Sequence, residues 1–549
     1  MNLREQLLET IASGLKRKTL TKCSKWSEEY VVLGGNEYPG PLRFKHFPWL
    51  KEMHDSEAAK NVGQKAAQMG YTTTVMNRTF YNIDIKHKSV LYLLPTKTPD
   101  ATDFSSTKFD PLLELSSHLA KMFSDVRNVH TKRAGSATLY IRGSNSRSGL
   151  KGVSTQTIVF DEYDEMNFEL IDLARTRSDG FKDCHEWLIS TPTVPTVGIS
   201  KEFEHTTKEH FFFICPYCSK LTELIYPDSL VICGESLTDD KIKDTYIICK
   251  ECKHKLPHEE KEIWLSTGQW VPTGHKDYEN RGFYINQMYS PTIDPPKLAH
   301  LFIKAQTSTA AEQEFFNSKM GLPHVSAAAR IDEETINKNI KAHKKGDRPA
   351  NRRLVTMGID IGKWLHYEVD EWILPGHPGP DLNMLATCKL LTEGKCLSFD
   401  DLHRLMHEWQ PIMCVIDSRP ETRKAYEFAC KFYGHVKMCY YGNNVSGKQI
   451  SVNRDENSHS VTVDRTSWLD LSLGRFPAGT ILLPCDLSDE YKKHVMACIR
   501  VYRKDRHGHD VASYVNEGDD HFCHARNYSE IALPLAVSMT SNMDIGKLL

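Results

Sequence analysis

No stretch of this chain approaches the ~18 consecutive apolar residues that a membrane-spanning helix requires, so no membrane association is expected. The N-terminal run MNLREQLLETIASGLKRKTL carries acids early and has no apolar centre. That excludes a secretory signal and favours an amphipathic helix. An excess of one charge is also missing. The 69 Lys and Arg against 71 Asp and Glu leave a formal net charge of −2, so any contact with nucleic acid must come from local basic patches. A disulfide framework is absent too: fifteen cysteines is an odd number, and most of them have no framework spacing. Buried free thiols in a reducing compartment follow. At 549 residues the chain exceeds what one hydrophobic core supports, and two to four domains are expected.

The most informative segment is Ile158–Met166, IVFDEYDEM, where an apolar strand runs straight into Asp161-Glu162. Two carboxylates at the C-terminal end of a buried strand face a ligand in open α/β sheets. In ATP-hydrolysing folds the aspartate holds Mg²⁺ and the glutamate orients the attacking water. The plainer reading is an acidic helix start, favoured by the helix dipole. Upstream, Gln64–Thr72 (QKAAQMGYT) resembles a phosphate loop ahead of a helix over Thr73–Tyr81. The usual G-x-x-x-x-G-K-[ST] is broken, because Tyr71 stands where lysine belongs. Lys65, at the start of the loop, reaches the phosphates from the other side. Val90–Leu94 reads as a core strand, and Trp187–Ile189 as another that ends in Ser190-Thr191-Pro192. A hydroxyl pair there senses a γ-phosphate, or is simply a turn. The three features in this order are far more specific than any one of them.

Between them, Ile141–Lys151 is a Gly/Ser-rich basic loop in which Arg142, Arg147 and Lys151 suit a DNA backbone or an arginine finger. Cys215-x-x-Cys218 and Cys249-x-x-Cys252 are two knuckles whose four thiolates suit structural Zn²⁺. A basic, Pro/Gly-containing run from Lys341 to Arg353 reads as an exposed connector. Beyond it, two apolar strands end in Asp360 and Asp417, and Asp519-Asp520 opens a helix near the C-terminus. A strand Asp, a second strand Asp and a helix Asp form the order of ribonuclease-H-like nucleases. There, converging carboxylates clamp two divalent cations on a phosphodiester. Asp520 is the favoured ligand of its pair, supported by His521 or His524. Asp464 is an auxiliary carboxylate, and Arg503, Lys504 and Arg506 form a basic hairpin tip.

An ATPase half, a zinc ribbon and a ribonuclease-H-like half on one chain resemble the large terminase subunit of tailed bacteriophages, most of all its lambda-type branch. That branch shifts its phosphate-loop lysine in a K-S-A-x-V-G-[WY]-[ST] pattern, which Lys65–Thr72 resembles with alanine in place of the serine. The resemblance extends to Ile158–Glu162, Ser190–Pro192, Cys215–Cys218 and the connector-like Gly282–Pro291. It implies an α/β architecture: an N-terminal helical segment (1–40), a P-loop ATPase core (41–209) and a zinc-ribbon insertion (210–258). A connecting subdomain (259–340), the basic linker (341–353) and a ribonuclease-H-like nuclease (354–549) follow. It further implies that Lys65 and the backbone around Gln68, Gly70, Tyr71 and Thr72 bind ATP. Thr72 and Asp161 would hold Mg²⁺, Glu162 would activate water, and Ser190-Thr191 would couple hydrolysis to movement. Asp360, Asp417 and Asp520 would bind Mg²⁺ or Mn²⁺. The implied partners are double-stranded viral DNA, a small terminase subunit and the portal of a procapsid in the host cytoplasm, with this chain in a homo-oligomeric ring. The rivals are a DNA helicase or translocase with an inactive C-terminal domain, and a non-enzymatic zinc-ribbon DNA-binding scaffold.

Overall fold

A computed structural model describes residues 20–35, 37–124, 126–326, 329–348, 354–374, 382–442, 445, 447–452, 459–504 and 510–541. The chain divides into two compact units, Met1–His324 and Val325–Leu549.

In the first unit the parallel strands that matter are Lys60–Lys65 (β1), Val90–Leu94 (β2), Thr157–Asp161 (β3), His185–Ser190 (β4), Glu209–Ile214 (β5) and Asn280–Ile285 (β6). Of these, β2 and β3 are near-continuous apolar runs, buried throughout because both faces are covered, as parallel sheets require. They lie in the order β5-β6-β1-β4-β3-β2 within an 11-stranded sheet, and Ala137–Gly143 continues the parallel run beyond β2. The strand bearing Ser190 is therefore inserted between β1 and β3, pairing in parallel with both. Helix α1, Tyr71–Asp84, follows β1 and is longer than the expected span.

Two expected boundaries do not separate compact units. β6, from the supposed connecting subdomain, pairs with β1 along its whole length. β5 and Leu221–Glu223, from the supposed ribbon insertion, also belong to the main sheet. Only Leu230–Val231, Tyr246–Ile248 and Lys255–Leu256 form a separate three-stranded sheet. Phe211 and Phe213 of FFFI and all of GFYI are buried by the sheet they join, and local composition does not reveal that.

The second unit is built on an eight-stranded mixed sheet. Leu354–Ile361 (β7), Leu365–Ile373 (β8) and Thr387–Cys396 (β9) form an antiparallel meander. Met413–Asp417 (β10) then adds in parallel beside β7, and Val436–Tyr441 (β11) beside β10. Helix α2, Asp489–Ala497, and the long C-terminal helix α3, His521–Ser541, complete the part that carries the chemistry. α3 packs on β7 at Gly358, where an added Cβ would lie 2.0 Å from the Ala525 carbonyl oxygen. Only glycine permits that approach. α3 is also locked by buried charge. The Arg526 guanidinium donates to Glu368 at 2.8 Å and Asp370 at 2.5 Å, and Arg475 donates to Glu530 at 2.6 Å. Burial, then the Asp370 charge, pushes the Glu368 carboxyl well above the usual range, so the two guanidiniums face two carboxylates and one acid held toward its neutral form.

The basic run is not a free connector over its described part. Lys341 N–H donates to the Leu483 carbonyl at 2.8 Å, His343 Nε2 meets the Leu390 carbonyl at 3.0 Å, and Lys345 pairs with Glu393 at 2.9 Å. Backbone groups that find partners on a sheet edge do not remain solvated, whatever the local charge. Residues 349–353 lie outside the described residues.

Candidate functional sites

The C-terminal ends of β1, β4 and β3 lie side by side, and each delivers polar groups to one spot. Lys65 ends β1 with its side chain buried, and its Nζ lies 3.3 Å from Glu162 Oε1 and 3.5 Å from Thr191 Oγ1. Thr72, in the first turn of α1, donates its hydroxyl to Asp161 Oδ1 at 3.4 Å. Tyr92, on β2, donates to Asp161 Oδ2 at 2.6 Å. Burial, then the neighbouring Glu162 charge, pushes the Asp161 carboxyl up to about 7. A carboxyl so disfavoured as an anion is one that a cation would restore to its charged form. Gln68 and Gly70 take left-handed backbone (φ +62° and +83°), which turns the chain from β1 into α1. The Tyr71–Thr73 amides precede the first intrahelical bond, from Thr74 N–H to the Gly70 carbonyl. They form a helix N-terminus suited to phosphate.

The Tyr71 side chain does not belong to this pocket. It is 1% exposed, and it fills the space that Gly63 leaves on β1, where a Cβ would come within 2.6 Å of the Tyr71 ring. Only its backbone faces the loop. The Gln68 side chain is exposed.

Asp164, absent from the sequence reading, ties the acidic loop to the Ser-Thr-Pro loop. Its carboxylate accepts Thr193 N–H at 2.8 Å and Ile199 N–H at 2.6 Å, while its own N–H donates to Ser190 Oγ at 3.1 Å. The Ser190 hydroxyl donates in turn to the Thr191 carbonyl at 3.0 Å. Only the tertiary fold reveals this role, because in sequence Asp164 is one acid among four.

In the second unit, β7 and β10 run in parallel with Ile359 beside Ile416, so Asp360 and Asp417 follow next to each other. Burial raises the Asp417 carboxyl to about 6, and the Asp360 charge adds to the rise. Asp520 precedes α3 and lies 3.3 Å from His524 Nε2. Burial alone would raise its carboxyl, but the His524 hydrogen bond and charge outweigh burial and lower it. Asp519 is exposed. His521 Nδ1 meets Asp360 Oδ2 at 2.8 Å, and that bond raises the imidazole above its ordinary value. His366 pairs directly across from Asp360 on β8, and its ring stacks on His521 with centroids 4.5 Å apart. The sequence reading missed His366. Counting back through the tight Gly362-Lys363-Trp364 turn would have brought it opposite Asp360. Asp464 is a helix cap instead of an auxiliary ligand, accepting Ser467 N–H at 2.7 Å.

The four knuckle thiols converge, with all ligand atoms within 4.8 Å of one another. Cys215 Sγ and Cys252 Sγ are 3.9 Å apart, close to the edge of a tetrahedron with ~2.3 Å metal–sulfur bonds. The two knuckles repeat one hydrogen-bond pattern: Ser219 N–H bonds to the Cys215 carbonyl and Lys253 N–H to the Cys249 carbonyl, both at 2.9 Å. Ser219 and Lys253 both have positive φ, +58° and +60°.

The basic candidates divide. Arg147 and Lys151 are exposed. Arg142 is occupied structurally: it bonds the His130 and Ile141 carbonyls and lies over the Tyr140 ring. Its alternation on a strand, not its charge, sets its direction. Arg503 and Lys504 end strand Cys498–Lys504, and Arg506 lies outside the described residues.

Known proteins share sequence with the chain. The model of the family described as phage terminase large subunit gpA, ATPase domain, matches residues 36–270, and that of the terminase large subunit gpA, endonuclease domain, matches residues 280–374. The chain is 21% identical to the terminase large subunit of Escherichia phage lambda over 339 residues, covering 56% of this chain and 53% of that protein. It is 20% identical to the terminase large subunit of Enterobacteria phage P21 over 412 residues, covering 66% of this chain and 64% of that protein. The chain thus spans between about half and two thirds of the length of these relatives. The crystal structure of the HK97 bacteriophage large terminase overlaps 93% of this chain and 98% of that chain, at a TM-score of 0.47 and 10% identity. The protein belongs to the gpA family of phage terminase large subunits, with the ATPase and endonuclease domains of that family in order along it.

Proposed function

We propose that this chain is the motor and nuclease subunit of a viral DNA-packaging machine, which hydrolyses ATP to move double-stranded DNA into a procapsid and cuts the concatemer. The observation that carries the reading is the gathering of Lys65, Thr72, Asp161, Glu162 and Thr191 at the ends of three adjacent strands.

In this reading Lys65 leaves Glu162 when triphosphate binds and neutralises the phosphate oxygens, while the Tyr71–Thr73 amides hold them from the helix side. Thr72 and Asp161 would hold Mg²⁺, and the ion would supply neutralisation of the phosphate charge. Glu162, released from Lys65, accepts the proton of the attacking water. Thr191 senses the γ-phosphate, and Asp164 carries its loss to the Thr193–Ile199 segment. In the second unit Asp360, Asp417 and Asp520 would hold divalent cations, which would supply charge stabilisation for phosphodiester cleavage. The ligand set fits hard or borderline cations, because the donors are carboxylates and imidazoles. Four thiolates in two knuckles fit a structural Zn²⁺. Arg147 and Lys151 contact the DNA backbone. A small subunit, a portal and a ring of identical copies complete the assembly in the host cytoplasm. No helix among the described residues is long and apolar enough to cross a membrane.

The test is a paired assay of DNA-stimulated ATP hydrolysis and Mn²⁺-dependent plasmid cleavage on one preparation. Both activities are expected, and Asp360→Ala should remove cleavage alone. Hydrolysis with strand separation and no cleavage would indicate a helicase-type translocase, and absence of both a binding scaffold.

A further inference from the structure

We propose that the nuclease unit contains a histidine-bearing cation position, formed by Asp360, His366 and His521, that selects a first-row transition metal, Mn²⁺ included, over Mg²⁺. This rests on the nuclease reading in sharing Asp360 with the three-carboxylate set, but its ligands and its test are its own.

One ligand atom from each of the three residues lies within 4.8 Å of the other two. His366 reaches the site because the β7–β8 register sets it opposite Asp360, and facing residues of an antiparallel pair project to the same side. His521 reaches it because α3 begins there, held close by Gly358. The His366 ring is fixed: it stacks on His521 at an interplanar angle of 9° and meets the Phe522 edge at 4.9 Å. His366 is only 2% exposed, yet its Nδ1 has no hydrogen-bond partner among the described residues. A buried, rigid imidazole with an uncommitted nitrogen costs stability unless something occupies that nitrogen. Its other nitrogen lies 3.8 Å from Glu490, beyond hydrogen-bond reach, and Glu490 is itself held by Lys395 at 2.6 Å; ring stacking, not a hydrogen bond, fixes the imidazole.

The chemistry sets the choice of ion. Mg²⁺ prefers oxygen and keeps its waters. Imidazole nitrogen suits the later divalent metals, whose affinity for such sites rises along the first transition row. Two nitrogens beside a single carboxylate therefore favour Mn²⁺, Co²⁺ or Zn²⁺ at this position, and leave the Asp417 and Asp520 side to a harder ion.

Electron-spin-echo spectroscopy of Mn²⁺ added to the zinc-loaded full chain, without nucleotide or DNA, tests this directly. The wild type is expected to give ¹⁴N modulation from directly bound imidazole. His521→Gln and His366→Gln should each reduce that modulation and weaken Mn²⁺ binding by about tenfold or more. Asp417→Asn should keep the nitrogen signal. Wild-type Mn²⁺ bound without ¹⁴N modulation overturns the proposal, whether or not the variants fold. Nitrogen coupling without plasmid cleavage would uphold the site and refute the nuclease reading. Cleavage without nitrogen coupling would do the reverse.

Discussion

Lys65 and Glu162 form an ion pair at 3.3 Å across two strand ends, with the lysine buried and the carboxylate partly open to solvent. The pair joins the residue that would bind phosphate to the one that would activate water, so nucleotide entry must separate them.

Glu162→Gln should therefore reduce DNA-stimulated hydrolysis by about 10²-fold or more and leave nucleotide binding and plasmid cleavage intact. Phosphate release and nucleotide affinity, measured together, check it. Unchanged turnover would remove Glu162 from the role of base.

Tyr71 offers a test of where the lysine acts. Tyr71→Lys restores the G-K-[ST] end of the standard phosphate loop, but it should not rescue Lys65→Ala, because position 71 points into the core. It should instead lower the melting temperature by burying an ammonium. Tyr71→Phe should leave stability within about 1 kcal/mol of wild type, or raise it, since the buried hydroxyl has no partner among the described residues. Rescue of hydrolysis by Tyr71→Lys would overturn the assignment of Lys65.

His54 predicts an acid limb. Its Nδ1 bonds the Leu50 carbonyl at 2.8 Å and its Nε2 meets Asn77 at 3.0 Å. Burial lowers its pKa to about 3. The folded state therefore stays neutral there while the unfolded chain takes up a proton below about 6.5. The His54 contribution is complete above that pH. It falls as pH drops toward 3, by at most about 1.4 kcal/mol per unit. Unfolding midpoints between pH 7 and 4 should show the slope, and His54→Gln should flatten it.

Metal content tests the knuckles. One zinc per chain is expected, and Cys249→Ser should abolish it and lower the melting temperature of the first unit. Cleavage in Mn²⁺ should persist. A full zinc complement in Cys249→Ser would show that the four thiols are not the site.

Gly358→Ala should disable cleavage without touching the chemistry. The added methyl meets the Ala525 oxygen at 2.0 Å and the Ser529 nitrogen at 2.3 Å, both backbone atoms that cannot rotate away. Overpacking of this kind costs about 1–3 kcal/mol and moves the start of α3, with Asp520 and His521. Plasmid cleavage should fall while hydrolysis continues.

The amino-acid order alone determined much of this protein. Apolar runs ending in Asp161, Asp360 and Asp417 were legible because a carboxylate inside a buried strand needs a cation to pair with, as Glu368 and Asp370 do with Arg526, whereas one at a strand end can face a ligand, and paired C-x-x-C knuckles are rare by chance. Lys65 stood out because Gln64–Thr72 carries no other lysine.

What only the tertiary structure decided were relations between distant segments. That β4 lies between β1 and β3 is a matter of hydrogen bonding across more than a hundred residues. The core role of Tyr71, the clamp of Asp164 and the packing of the basic run onto its sheet are equally invisible locally. His366 joins Asp360 only through strand register, and His521 only because a glycine lets a helix lie against a strand. Side-chain type states what a residue can do; its packing environment states whether it is free to do so.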